Sequence, residues 1–293
     1  MKRSKHLPPR LLEHHFIQRN DKLLITLLRT SINFDASVHQ ARKLLKEIRA
    51  FLRMSKPLTG NRATDYHQYL RQLATDLGQF RDQYVLQSVW QSFQSHLPER
   101  LALPPLPREL IRPECSLGTD PETPEEFISR LIDITHQLLL RSEPVQISLQ
   151  HSDIDYPWAM KRYRWLYLRG RKAHSKANQT PSAPLYHDLR KCLKDEMYCL
   201  RLVKPGWNEF IRKRHKRLKQ TTERLGQAND LDLLLETFHT NASTETARLL
   251  QLIRNRQTRQ WAKAEKELSR LLCYTPEEYG DYFPSLIEIN THC

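Results

Sequence analysis

A constant offset of 148 residues lays one part of this chain over another without a gap, and nothing else in the sequence restricts the fold as tightly. His39, Arg42, Lys43, Leu45 and Lys46 fall on His187, Arg190, Lys191, Leu193 and Lys194. The same offset carries Leu52-Arg53 onto Leu200-Arg201, Lys56-Pro57 onto Lys204-Pro205, His67 onto His215 and Arg71 onto Lys219. Further on, Leu77-Gly78-Gln79 meets Leu225-Gly226-Gln227, and Asp82 meets Asp230. About a third of the aligned positions are identical, against roughly one in seventeen by chance at ordinary residue usage. Two like units in one chain predict a pseudo-twofold arrangement with equivalent faces brought together at the centre.

The units are predicted to be helical. The chain has 293 residues but only 7 Gly, where about 20 would be usual, so turn-rich β architectures are disfavoured. Apolar residues recur at three- and four-residue spacing and predict helices near 9–32, 37–55, 62–76, 82–96, 124–141, 157–177, 184–203, 207–224, 230–240 and 243–273. From Pro98 to Pro124 the chain carries seven prolines and reads as a linker. It ends at Thr123-Pro124-Glu125-Glu126, a capping residue, a first-position Pro and first-turn acids, which predicts a helix start. The expected organisation is one all-α domain over 8–285. It comprises an N-terminal half (8–97), the linker (98–123) and a C-terminal half (124–285), each half a four-helix unit. Gly78 and Gly226 read as helix ends or close crossings, and Asp82 and Asp230 as caps of the next helix or as groups orienting nearby cations.

Charge enters where the repeat places it. Lys plus Arg number 47 against 33 Asp plus Glu, a net +14, which suits a polyanionic partner: DNA, RNA, anionic lipid or inorganic polyphosphate. At about 100° per residue, His39, Arg42, Lys43, Lys46, Arg49 and Arg53 share an arc of roughly 120°, with Leu44, Leu45, Ile48, Phe51 and Leu52 opposite. Glu47 stands at the margin of that arc. A helix that needs only solubility intersperses signs and gains i, i+4 pairs, which this one forgoes. In the second copy His187, Arg190, Lys191, Lys194 and Arg201 share a face likewise. Two such faces meeting at the centre would line a cleft or pore with cations. Further cations come from Arg71 and Lys219, from the run Arg212 to Arg217, and from the segment Lys161 to Lys172, which includes Arg169 and Arg171. The Arg212 to Arg217 run points all round its helix and is expected to be partly solvated.

No run of about 18 apolar residues exists, so no membrane span is expected. The basic start lacks an apolar secretion segment, and five Cys without a C-x-x-C argue against a disulfide framework, which together predict a cytoplasmic protein. No metal site is expected, since a cation-rich face repels metal and no H-x-x-x-H accompanies the paired histidines; no cofactor is expected either. G-x-x-x-x-G-K-[ST] and G-x-S-x-G are absent, and no carboxylate cluster suited to magnesium is evident, so binding rather than catalysis is predicted.

These motifs resemble the CHAD family, the conserved histidine α-helical domain. The resemblance is carried by 38–57 and 69–82, by 185–207 and 217–235, and by 162–173, and it runs from about residue 8 to about residue 275. It implies two helical bundles related by a pseudo-twofold axis around a basic pore that binds long-chain inorganic polyphosphate, in some members at polyphosphate granules. By position, the implied pore residues are His39, Arg42, Lys43, Lys46, Arg49, His187, Arg190, Lys191 and Lys194. Met197 stands where the first repeat has Arg49, and Asn229-Asp230 replaces Arg81-Asp82. Some CHAD domains are fused to a CYTH triphosphatase domain, marked by E-x-E-x-K, which this chain lacks. The alternative is a nucleic-acid-binding helical protein, for which the Arg212 to Arg217 run and the aromatic-basic segment 161–172 speak.

Overall fold

The computed structural model describes residues 10–95, 123–152, 155–206, 208–239 and 244–281. Among them the chain is all-α. The helices are α1 (Leu11–Leu28), α2 (Phe34–Gln94), α3 (Pro124–Ser129), α4 (Leu131–Gln150), α5 (Tyr156–Gln179), α6 (Ala183–Leu200), α7 (Glu209–His239), α8 (Thr244–Leu271) and α9 (Pro276–Asp281). Most of the proline-rich linker, and the chain beyond Asp281, lie outside the described residues. No described helix is long and apolar enough to cross a membrane.

Local sequence explains the helix starts. The Asn33 side chain accepts from the Ala36 amide at 3.3 Å, and Asp155 from the Trp158 amide at 2.8 Å. At Thr123 the predicted signal forms a full capping box: Glu126 N–H donates to the Thr123 hydroxyl, and Glu126 Oε2 accepts from the Thr123 amide.

Two expected breaks are absent. The helices expected near 62–76 and 82–96 are one run through Gly78, and those near 207–224 and 230–240 are one run through Gly226. Asp82 and Asp230 therefore lie within helices and not at the start of a new one. One interior Gly costs only about 1 kcal/mol against Ala, which packing along a long helix offsets. The reading of Gly226 as a close crossing is the one that stands, because a Cβ there would sit 3.1 Å from the Arg190 guanidinium. The actual break in α2 is at Gly60, with φ 57° and ψ −136°, a conformation that favours Gly. There the helix doubles back: Arg53 and His67, about 21 Å apart along a straight helix, lie 2.7 Å apart.

The arm of α2 before Gly60 packs its Leu44, Leu45, Ile48 and Leu52 into the same apolar cluster as Leu189, Leu193, Met197 and Leu200 of α6. α1 and α4 lie against α2, while α5 and α7 flank α6, and α8 lies along α7. A smaller cluster joins the far end of α2 to α7 and α8, with Trp90 against Phe238 at 4.9 Å between ring centres. Trp90 and Phe238 are 148 residues apart.

The Arg212 to Arg217 run divides. Arg212, Lys213, Lys216 and Arg217 are exposed, whereas Arg214 is buried. It sits in the apolar row of Ile211 and Leu218, donates to Glu196 at 3.0 Å and to the Leu271 carbonyl at 2.8 Å, and lies over the rings of Tyr167 and Tyr279. Tyr279 also donates to Glu196, so α9 is fastened to the core by the same carboxylate. Removing one partner of a buried ion pair strands the other charge. Arg214→Leu should lower unfolding free energy by about 3–5 kcal/mol in urea titrations. A loss below about 1 kcal/mol would show that Glu196 does not depend on this partner.

Candidate functional site

The cationic faces of the two repeats meet where α2, α6 and α7 converge. Two carboxylates order the junction. Asp195, buried on α6, accepts both arms of the Arg53 guanidinium from α2, one at 2.9 Å, and Arg169 of α5 at 2.8 Å. Glu47 of α2 takes Arg201 from the end of α6 and approaches Arg19 of α1 at 3.6 Å. The offset maps Glu47 onto Asp195 and Arg53 onto Arg201, so each half supplies the acid for the arginine of the other. Comparing the two acids across the repeat could have found this exchange in the sequence.

On one side of the junction stand Arg49, Arg53, His67 and Arg71. Burial lowers the pKa of Arg49, and the charges of Arg53 and Arg71 push the same way. Its Nε is buried with no hydrogen-bond partner. His67 is pushed down to about 4, first by burial and then by Arg53 and Arg49, so at neutral pH it is uncharged.

On the other side stand Lys43, Lys46, Arg190, Lys194 and Arg201. Lys194 falls to about 8, first by burial and then through Arg190, Lys43 and Arg201, with Glu223 opposing. Lys43 and Lys194 come from different repeats, so cations of the two halves are close enough to repel. Arg190 is held in place by its bond to the Thr222 carbonyl at 3.0 Å and by the absence of a side chain at Gly226. Asp230 faces Arg190 and Lys46, and burial raises its pKa against both. That matches the expectation that Asp230 orients cations. It also borders a cleft of about 420 Å³ lined by Gln227, Phe93 and Arg256.

The remaining expected residues have varied surroundings. His39 is exposed and Arg42 half-buried. His187 bonds Asn229 at 2.7 Å, and burial, then Lys191 and Arg190, lower its pKa. Lys191 is exposed beside Asp188 at 3.0 Å, and Lys219 is exposed with Glu223 at 3.9 Å. Arg171 does not join the junction's ion pairs; it donates to the Tyr274 carbonyl at 3.2 Å and lines another hollow with His174 and Asn178. The segment 161–172 spends much of its charge internally. Arg162 is buried and bonds the Met54 and Arg53 carbonyls, and Trp165 lies under both Arg162, at 4.2 Å, and Arg169, at 4.8 Å.

A family model described as CHAD domain matches residues 17–239, more than half of the chain. Neither a curated protein nor a solved structure matches it.

Asp195 competes with any external anion for Arg53 and Arg169. Asp195→Asn should therefore cost about 3 kcal/mol of stability, as a buried carboxylate between two arginines is lost. It should at the same time raise affinity for a polyanion. Thermal melts and anion titrations on one preparation check both, and weaker binding with unchanged stability would contradict this role.

Proposed function

The chain belongs to the CHAD domain family, and from that premise we propose that it binds inorganic polyphosphate between the cationic faces of α2 and α6 without cleaving it. The observation that carries the reading is the gathering of Arg190, Lys43 and Arg201, from both repeats, around Lys194, whose charge is disfavoured first by burial and then by these cations. Cations from two repeats crowded together at a cost are what a polyanion would relieve. Each close charge pair changes from about 1 kcal/mol in water to about 4 at an effective dielectric near 20, so a confined phosphate chain gains more than one on an open surface.

In this reading the halves are related by a pseudo-twofold axis, with the basic site at their junction. Two observations support it. The Arg53–Asp195 and Arg201–Glu47 pairs are exchanged by the offset, as an isologous contact requires. Trp90 meets its own offset equivalent, Phe238, as a residue beside such an axis must. Lys43, Lys46, Arg190 and Lys194 are the core of the site, with Arg42, Arg49, His39, His187 and Lys191 beside them. Arg53 and Arg169 serve first to bind Asp195, while Arg71 and Lys219 extend the cationic surface.

Binding rather than hydrolysis is favoured by the state of the local acids. Asp195 and Glu47 are each taken by two arginines, and Asp230 faces Arg190 and Lys46, a donor set poorly suited to holding magnesium against phosphate. The nucleic-acid reading is second. Base stacking needs an open aromatic face, and Trp165 is already engaged by two arginines. A cytoplasmic place, at polyphosphate granules, belongs to the same proposal.

Purified protein should retain long-chain polyphosphate at about 150 mM salt, and tRNA at equal phosphate concentration should not displace it. Failure on the first count ends the proposal; displacement favours nucleic acid. The combined Lys43→Ala, Lys46→Ala and Lys194→Ala variant should weaken binding and reduce the salt slope by about 2, since each lost contact releases roughly 0.7 of a counterion. An unchanged slope would place the site elsewhere. Affinity should also fall as pH rises from about 7 to 9, because Lys194, with its pKa near 8, loses charge the anion needs. Protons should be taken up on binding, measurable by calorimetry in buffers of different ionisation enthalpy; affinity rising with pH would contradict the assignment.

A further inference from the structure

The large apolar side chains that stand exposed among the described residues are Ile25, Leu28, Ile32, Ile132, Leu139, Leu140 and Ile147. All lie on α1, the turn after it, or α4, which packs beside α1. Ile32 is 86% exposed and Ile132 80%, so these are not partly covered core residues. The repeat supplies an internal control. The offset equivalents of Ile25, Leu28 and Ile32 are Ala173, Lys176 and Thr180, so the helical framework does not itself require apolar residues at these positions.

On α4 the exposed residues form one stripe. At about 100° per residue, Ile132, His136, Leu139, Leu140, Glu143 and Ile147 fall within roughly 100° of arc. The buried Leu131, Ile134, Leu138, Val145 and Leu149 lie on the far side of the helix. The stripe is self-complementary when read in reverse. An antiparallel copy centred between Leu139 and Leu140 sets Ile132 against the other copy's Ile147, Leu139 against its Leu140, and His136 against its Glu143. That is the isologous pattern a twofold contact requires.

We propose that this face is the interface of a homodimer, with α4 packed antiparallel against α4 of a second copy and α1 beside it. Charge supports a copy as the occupant. A chain of net +14 repels itself over most of its surface. On this face the exposed charges cancel, with Asp21 and Glu143 against Lys22 and Arg29. Size supports it too: the seven side chains present on the order of 700 Å² together, close to the roughly 800 Å² that one partner gives a standard interface. The proposal stands apart from the polyphosphate reading, because it uses another face and is tested without ligand.

Sedimentation velocity on the ligand-free full chain, from about 1 to 100 μM, should show a species of twice 34.9 kDa. A mass of 34.9 kDa throughout that range overturns the proposal, whatever the variants do. Leu139→Glu with Leu140→Glu, both at exposed positions, should raise the dissociation constant at least roughly tenfold while helicity and melting stay as in the parent. An unchanged dimer would put the interface elsewhere. The register is tested by Leu139→Cys, which should form a disulfide-linked dimer on mild oxidation beyond the parent's background, whereas Arg141→Cys, on another side of α4, should not. Equal cross-linking of the two overturns the antiparallel pairing. A monomer that co-floats with phosphatidylglycerol vesicles would assign the stripe to a lipid surface instead.

Discussion

Everything in this molecule turns on two acids placed where the repeats meet. Asp195 and Glu47 occupy one position of the duplicated unit, and each holds the arginine that the other half contributes at one further position, Arg53 or Arg201. A carboxylate with its side chain almost fully buried, as that of Asp195 is, is tolerated only when its charge is matched and its lone pairs are used. Arg53 and Arg169 do both. The exchange therefore fixes the register of α2 against α6, because sliding one helix along the other would strand the buried Asp195 and the partly buried Glu47 together. The apolar cluster that includes Leu45 and Leu193 gives the adhesion, but a smooth leucine surface would allow several registers.

The cations that these acids do not neutralise acquire their character from that register. Lys43 and Arg190 stand near Lys194, and Lys46 and Arg190 share the neighbourhood of Asp230, on helices whose positions are already determined. Lys194 feels both its surroundings and its neighbours: burial first, and then Arg190, Lys43 and Arg201, bring its pKa down to about 8. The small residue at Gly226 has the same origin: the Arg190 guanidinium fills the space where a Cβ would be. The acids that make the junction fold also occupy Arg53, Arg169 and Arg201, cations that would otherwise add to the surplus charge there.

Much of this architecture is legible in the amino-acid order. Periodicity locates the helices, and the offset pairs His39 with His187 and Lys46 with Lys194, because the duplicated residues sit on continuous helices where spacing translates into angle. What spacing does not convey is depth. Arg214 lies within a run of exposed cations and differs from them only in falling on the row of Ile211 and Leu218, so a count of charges does not reveal its burial against Glu196. Arg162 and Arg169 look like free charge, although their partners, the Met54 carbonyl and Asp195, are more than twenty residues away and invisible to local patterning. Gly78 and Gly226 look like possible helix ends; a single glycine in a long, well-packed helix is too small a penalty to end it. The outward stripe on α4 also escapes a reading of apolar spacing, since Leu138 and Leu139 look alike until one is placed inside and the other outside.

In the proposed function the cations at the α2–α6 junction hold a flexible phosphate chain. The most direct measurement is a structure of the protein bound to long-chain polyphosphate. A continuous phosphate chain should lie between α2 and α6, with oxygens within hydrogen-bond distance of Lys43, Lys46, Arg190 and Lys194 from both repeats. A chain lying instead along the exposed cations of α7, at Arg212, Lys213, Lys216 and Arg217, would contradict it.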